Sequence, residues 1–146
     1  MNKKTRSGSA NYKRLKPFLL AVDANGGHFK FTSGGYMPLS IENLEYTDYD
    51  GHPVYGMMHY YIQNGDLMRD PDMTFSVNDG DGTICPLTYQ LDGMGVYQEV
   101  FRRGDDGRIL YAPRMLTDLD AFLMTWSKNI IEQGFRPEQA FQIAPV

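Results

Sequence analysis

Between Met37 and Arg103 the chain is cut into short apolar or alternating runs by clusters of Asn, Asp, Gly and Pro, and that punctuation restricts it to a β-meander. Leu39 to Tyr46 is the first candidate strand, turned by Asp48, Asp50, Gly51 and Pro53. Val54 to Ile62 follows, with β-branched and aromatic residues on both faces, the pattern of a central strand covered on two sides. Met73, Phe75 and Val77 alternate with Thr74 and Ser76, which gives the third strand one buried face. Asn78-Asp79-Gly80-Asp81-Gly82 reads as a hairpin tip because these residues tolerate positive φ. Thr83 to Leu91 makes a fourth strand, with Cys85, Leu87, Tyr89 and Leu91 expected on one side. Asp92-Gly93-Met94-Gly95 then turns it into a fifth, Val96 to Arg103.

The period changes towards the C-terminus. From Thr117 to Gln133 the residues Leu119, Phe122, Leu123, Trp126 and Ile130 form one helical stripe, with Thr117 as expected N-cap, Asp118 and Asp120 in the first turn, and Gly134 at the end. Near the N-terminus Tyr12, Leu15, Leu19 and Val22 also have helical spacing, but Pro17 inside the stretch would cost a continuous helix about 3 kcal/mol. A short helix starting near Pro17 and running to Val22 is the expectation, closed by Asn25-Gly26-Gly27. The fold class is therefore α+β: an antiparallel meander of about five strands, a C-terminal helix packed on one face, and a short N-terminal helix. With 146 residues the chain makes one domain, 10–146, behind a flexible basic tail, 1–9.

No apolar run approaches the roughly 18 residues needed to span a bilayer, and the N-terminus lacks the apolar stretch of a signal peptide, so a cytoplasmic protein with no membrane partner is expected. A single cysteine, Cys85, forms neither an intramolecular disulfide nor a multi-cysteine metal site. Charge has positional content. Lys3, Lys4, Arg6, Lys13, Arg14 and Lys16 stand in the first 22 residues without an acid, whereas the remainder sets eight basic side chains against all 18 acids, a net of −10. A basic arm of this kind suits nucleic-acid phosphate or an acidic partner, but with only three charges before Ser9 a solvated terminus is the simpler reading. The acidic body opposes nucleic-acid binding on the folded part and suits a domain that competes for a basic partner's groove.

Antiparallel pairing has a geometric consequence. Gln63 to Asp72 and Asp92 to Gly95 would leave the sheet at the same end, beside Ser33-Gly34-Gly35. One rim then gathers His59, Gln63, Asn64, Asp66, Arg69, Asp70, Asp72, Gln90 and Asp92 on connections of the kind that carry function. Asn64-Gly65-Asp66 has turn chemistry, which assigns Asn64 and Asp66 to holding the loop and leaves Arg69 and Asp70 for recognition. Tyrosine is in excess, with 10 residues. Tyr55, Tyr60, Tyr61, Tyr89 and Tyr97 lie on the candidate strands, where an apolar ring with a polar tip anchors an interface or stacks on bases.

Catalytic patterns are weak. Asp66, Asp70 and Asp72 are close enough in sequence to ligate a hard cation, but the spacing does not fit a calcium loop, and backbone-bonded loop acids with Arg69 paired explain it more simply. Cys85 falls on the expected buried face, no serine stands in a nucleophile elbow, and His28, His52 and His59 share no short ligand spacing. Acid–base work by His59 with Asp66 or Glu99 would require a convergence that spacing does not establish. Gly34-Gly35 is no phosphate loop. No catalytic residue, metal or cofactor is expected.

The run from Met58 to Phe75, with Pro86-Leu87-Thr88-Tyr89-Gln90, Gly95-Val96-Tyr97-Gln98-Glu99-Val100 and the helix end from Trp126 to Phe135, resembles a bacterial family of unknown function encoded largely on conjugative elements, plasmids and phages. The likeness covers residues 36–135, and its core motif is His59 to Met73. The family pattern commonly has an acid where this chain has Ile62 and another near Ser76, so any role that needs those carboxylates is missing here. The resemblance implies a mobile-element accessory protein acting on host defence or conjugation, and it transfers no catalytic residue. The expected function is non-enzymatic: binding of a host or element-encoded protein through the polar rim or the tyrosine-bearing sheet face. The alternatives are a nucleic-acid-associated factor using the N-terminal arm and a metal-dependent enzyme at the Asp66 to Asp72 rim.

Overall fold

The computed structural model describes residues 5–145. The first helix, α1 (Arg6–Ala24), begins eleven residues before Pro17, with the Thr5 hydroxyl accepting from the Gly8 N–H at 2.8 Å as its N-cap. Burial explains why Pro17 does not break it. Leu15, Phe18, Leu19 and Val22 are at most 2% exposed. Each contributes about 1.5–3 kcal/mol, which together outweighs the roughly 3 kcal/mol cost of an internal proline. Pro17 and Lys13 lie on the exposed side, so the carbonyl that loses its helical donor faces water. Two expectations are corrected here: the short helix from Pro17 becomes 19 residues, and Arg6 to Ser9 of the expected flexible tail are helical. Lys3 and Lys4 lie outside the described residues.

Six strands follow in an antiparallel meander whose spatial order is the chain order: β1 (His28–Phe31), β2 (Leu39–Thr47), β3 (Pro53–Gln63), β4 (Asp66–Asn78), β5 (Thr83–Leu91) and β6 (Val96–Glu99). The expected five become six because β1, four residues long, is below what alternation can signal. The expected fifth strand is also broken at Val100, whose N–H bonds Leu87 while its carbonyl accepts from Ala112. Phe101 to Arg103 leaves the sheet as β7 (Phe101–Arg103) and pairs with β8 (Ile109–Tyr111) in a separate ribbon.

The second long helix, α2 (Pro113–Glu132), starts four residues before Thr117. Pro113 takes the first helical position, where its missing N–H costs nothing, and Thr117 inside the helix donates to the Pro113 carbonyl instead of capping. Gly134 ends the segment at φ 97°, as expected. Both helices lie on one side of the sheet: Leu15, Phe18 and Val22 of α1 and Leu123, Trp126 and Ile130 of α2 share one core with Leu39, Ile41, Met57, Met73 and Phe75. Phe122 of the expected stripe is partly exposed.

Strand parity then leaves the other sheet side free of helices. Ser40, Met58, Asp72 and Gln90 are successive cross-strand partners, as are Glu42, Gly56, Thr74 and Thr88, and none of these is fully buried. From Gly56 onwards β3 is therefore covered on one face and not on two. The single-sided stripe expected for β5 is also corrected. Cys85 pairs with Ser76 but Tyr89 with Met73, because a bulge at Pro86-Leu87 inverts the alternation and sends Cys85 and Tyr89 to opposite faces. Among the described residues no helix is long and apolar enough to cross a membrane.

Candidate binding face

The long loop expected between the second and third strands does not exist. Gln63 pairs directly with Asp66 across a two-residue turn, Asn64 (φ 52°) and Gly65 (φ 84°), the positive-φ geometry that Asn-Gly adopts in a tight hairpin. Residues 66–72 thus belong to β4. At about 3.3 Å per residue, Asp66 and Asp72 stand roughly 20 Å apart along an extended strand, too far to share one cation. Among the described residues no group of three His, Cys, Asp or Glu side chains is placed to hold a metal ion.

The rim residues separate by strand parity. His59 is withdrawn into the core, 7% exposed, with its ring 5.5 Å from Trp126 and 5.6 Å from Phe135. Its Nδ1 lies 3.2 Å from the Pro38 carbonyl, which accepts only, so Nδ1 carries the proton. Tyr89 also turns to the helix side, edge-on to Phe122 at 5.3 Å. Gln63, Asn64 and Asp66 form the exposed hairpin tip, and Tyr97 is 59% exposed on β6 with its hydroxyl donating to Glu99 at 3.4 Å. Asp70 is half-buried. Its charge is felt by both His59 and Tyr89.

The division of labour expected inside the rim is reversed at two positions. Asp66 is exposed and makes no side-chain bond among the described residues. Arg69 is the tied residue: Asp92 Oδ2 accepts from both its backbone N–H and its Nε–H at 2.9 Å, while Oδ1 accepts from Gln90 at 3.1 Å. Arg69 holds the Asp92 carboxyl below the usual carboxylate range, through the side-chain bond first and the backbone bond next. Asp66→Ala is accordingly expected to leave the melting temperature unchanged, Arg69→Ala to lower it, and Asp92→Ala to lower it further. Equal melts for Asp66→Ala and Asp92→Ala would refute this ordering.

Burial lowers the His59 pKa from its ordinary value of 6.5, against smaller raising effects of the Pro38 and Met37 carbonyls and Asp70. The unfolded chain takes up this proton before the folded one does. The His59 contribution to stability is therefore intact above about pH 6.5 and is lost as pH falls towards the lower folded value. The slope of melting temperature against pH in that window is expected to flatten in His59→Phe. An unchanged slope would mean that the imidazole is solvated.

Two adjoining depressions on the helix-free face share Thr74 and form one trough. The first, about 300 Å³, is bounded by Tyr46, Asp48, Tyr49, Leu87, Thr88, Glu99 and Phe101. The second, about 360 Å³, is bounded by Ser40, Glu42, Leu44, Met58, Leu67, Arg69 and Asp72. Four carboxylates thus line it against one guanidinium, which is already bonded to Asp92. Burial pushes the Asp72 carboxyl up, Asp92 and Glu42 add to this, and Arg69 opposes it. The floor is held by paired hydroxyls, Thr74 Oγ1 and Thr88 Oγ1 at 2.5 Å. Of the rim candidates only Arg69 and Asp72 line the trough. Glu42, Tyr46, Tyr49, Thr74, Thr88 and Glu99 complete it; Thr74, Thr88 and Glu99 lie in the runs that carry the family resemblance, but only Glu99 enters the sequence reading as a candidate, and then as an acid–base partner of His59. A further sequence signal is the run of polar residues at alternate positions of three strands, Ser40/Glu42, Asp72/Thr74 and Thr88/Gln90.

Among the described residues, two of the N-terminal basic side chains are tied to the folded domain. Lys16 Nζ pairs with Asp79 at 2.9 Å, and Arg14 Nη1 donates to the Met124 carbonyl at 2.9 Å and to Ser127 Oγ at 3.3 Å. Arg6 and Lys13 remain exposed on α1. The Cys85 thiol is pushed up to about 12, chiefly by burial, and so stays protonated at neutral pH.

Fold and face together define a two-layer α+β fold with one sheet side packed by helices and the other carrying a polar, acidic trough. Residues 10–136 match the domain of unknown function DUF6908, and the chain belongs to that family. No curated protein and no solved structure matches it.

Proposed function

We propose that this protein is a non-enzymatic accessory factor of a mobile genetic element, and that its trough engages a basic segment of a host or element-encoded protein, in conjugation or against host defence. The observation that carries the binding half is the charge of the trough: four carboxylates beside the exposed Tyr46 and Tyr49, with the one lining guanidinium bonded to Asp92 and the Arg103 guanidinium already over the Tyr49 ring at 5.6 Å. An arginine-rich segment complements this surface, because guanidinium groups bond carboxylates bidentately and stack on tyrosine rings. The net of −10 outside the first 22 residues adds long-range attraction for such a partner. The mobile-element half rests on the resemblance of the His59 to Met73 motif and its companions.

The binding half is tested by titrating the full chain with an oligo-arginine peptide and following backbone amides by NMR. Saturable shifts are expected at Glu42, Thr74, Thr88 and Glu99, weakening with salt and disappearing in Glu42→Lys/Glu99→Lys. That variant should melt within about 0.5 kcal/mol of the parent, as surface changes usually do. Shifts confined to α1 and α2, or binding retained by the charge-reversed variant, would overturn the reading. For the mobile-element half, genes of DUF6908 proteins should adjoin conjugation or phage genes, and a consistent housekeeping context would remove it.

A further inference from the structure

A second cavity, of about 510 Å³, lies on the other side of Phe101 from the trough, between the start of α1, β5, the β7–β8 ribbon and α2. Its walls are apolar: Ile84, Pro86, Phe101, Tyr111 and Leu116, with the Phe101 and Tyr111 rings stacked at 5.9 Å. The volume is within the range of about 300–1,000 Å³ for small-molecule sites. Among the described residues that line it, Asp120 is the one charged side chain. Asp120 Oδ2 accepts from the Thr5 hydroxyl at 3.1 Å, while Oδ1 is buried and has no hydrogen-bond partner among the described residues. In a mostly apolar cavity this carboxylate has a single hydrogen-bond donor among the described residues, the Thr5 hydroxyl, and no basic group among them lines the cavity.

We infer that this cavity is a binding site for small organic cations, with an aromatic or alkyl body against Ile84, Phe101 and Leu116 and its ammonium bonded to Asp120. The burial that pushes the Asp120 carboxyl up, opposed by the Thr5 hydrogen bond, is the desolvation that a bound ammonium would compensate. The protonated Cys85 thiol serves as neutral wall. The inference stands independently of the trough, since no carboxylate is shared between the two sites.

The experiment compares phenethylamine with phenethyl alcohol, which share the aromatic body, by NMR titration of the full chain. Phenethylamine is expected to give saturable shifts at Tyr111, Leu116 and Thr117, with affinity higher than that of the alcohol by about tenfold or more, as one charge-assisted hydrogen bond supplies. Asp120→Asn should bring the two probes to equal affinity. Leu116→Trp, which fills the cavity, should weaken both. Equal affinities in the parent chain, a preference for the amine that survives in Asp120→Asn, or shifts lying elsewhere would each overturn the inference. Should Asp120→Asn fail to fold, the amine-to-alcohol ratio in the parent and the Leu116→Trp result decide it.

Discussion

Trp126→Ala lowers the unfolding free energy by about 3–5 kcal/mol, the range for truncating a large buried aromatic. The ring is 5% exposed and sits between the His59 ring, on the sheet, and Phe122, one turn back on α2. Removing it opens a cavity between α2 and the His59 ring, and neither neighbour can fill that cavity without leaving its own contacts. The indole Nε1 is buried without a hydrogen-bond partner among the described residues, so part of the parent stability is already forfeited there. Trp126→Phe, which keeps most of the apolar surface and deletes the unpaired N–H, is accordingly expected to cost less than about 1.5 kcal/mol. Urea titrations of the two variants check this, and a loss below about 1 kcal/mol for Trp126→Ala would mean that α2 is not docked through this residue.

The second large effect separates adjacent residues of β4. Phe75 is fully buried under α1 and α2, and Phe75→Ala is expected to cost about 3–5 kcal/mol. Thr74 points to the trough and its hydroxyl bonds the Thr88 hydroxyl, so Thr74→Ala is expected to cost about 1 kcal/mol or less. Conversely, Thr74→Ala alters the trough floor and Phe75→Ala does not, so in the oligo-arginine titration only the former should shift affinity while the chain stays folded. Comparable destabilisation by both would show that the face opposite the helices is covered, and the binding proposal would fall with it.

The runs of two-residue alternation, the Asn, Asp and Gly clusters and the 3.6-residue stripe of Leu119, Leu123, Trp126 and Ile130 determined an antiparallel meander with a helix across it, because each is a local backbone preference repeated with the period of its element. Asn78 to Gly82 marked one hairpin for the same reason, whereas Asn64-Gly65 read as turn chemistry inside a longer loop. What those signals could not carry were the outcomes of competition between distant groups. Pro17 argues locally against a long first helix, and only the burial of Leu15, Phe18, Leu19 and Val22 against the sheet outweighs that local cost. The polar density of residues 63–72 has the composition of a loop, but pairing with β3 and β5 satisfies its backbone and makes it a strand. A one-residue bulge at Pro86-Leu87 inverts the faces of β5, and a parity change of that kind leaves no trace in composition. The acids of the trough come from β2, the Asp48 turn, β4 and β6. Glu42, Asp72 and Glu99 are far apart in the chain and come to one face only because the sheet places strand neighbours about 4.8 Å from one another. Asp120 has the sequence position of a helix-start acid; with α2 beginning at Pro113 it stands in the helix interior next to the buried Leu119, where the Thr5 hydroxyl donates to one carboxylate oxygen and the other is buried, a placement that depends on the packing of the start of α1 against α2.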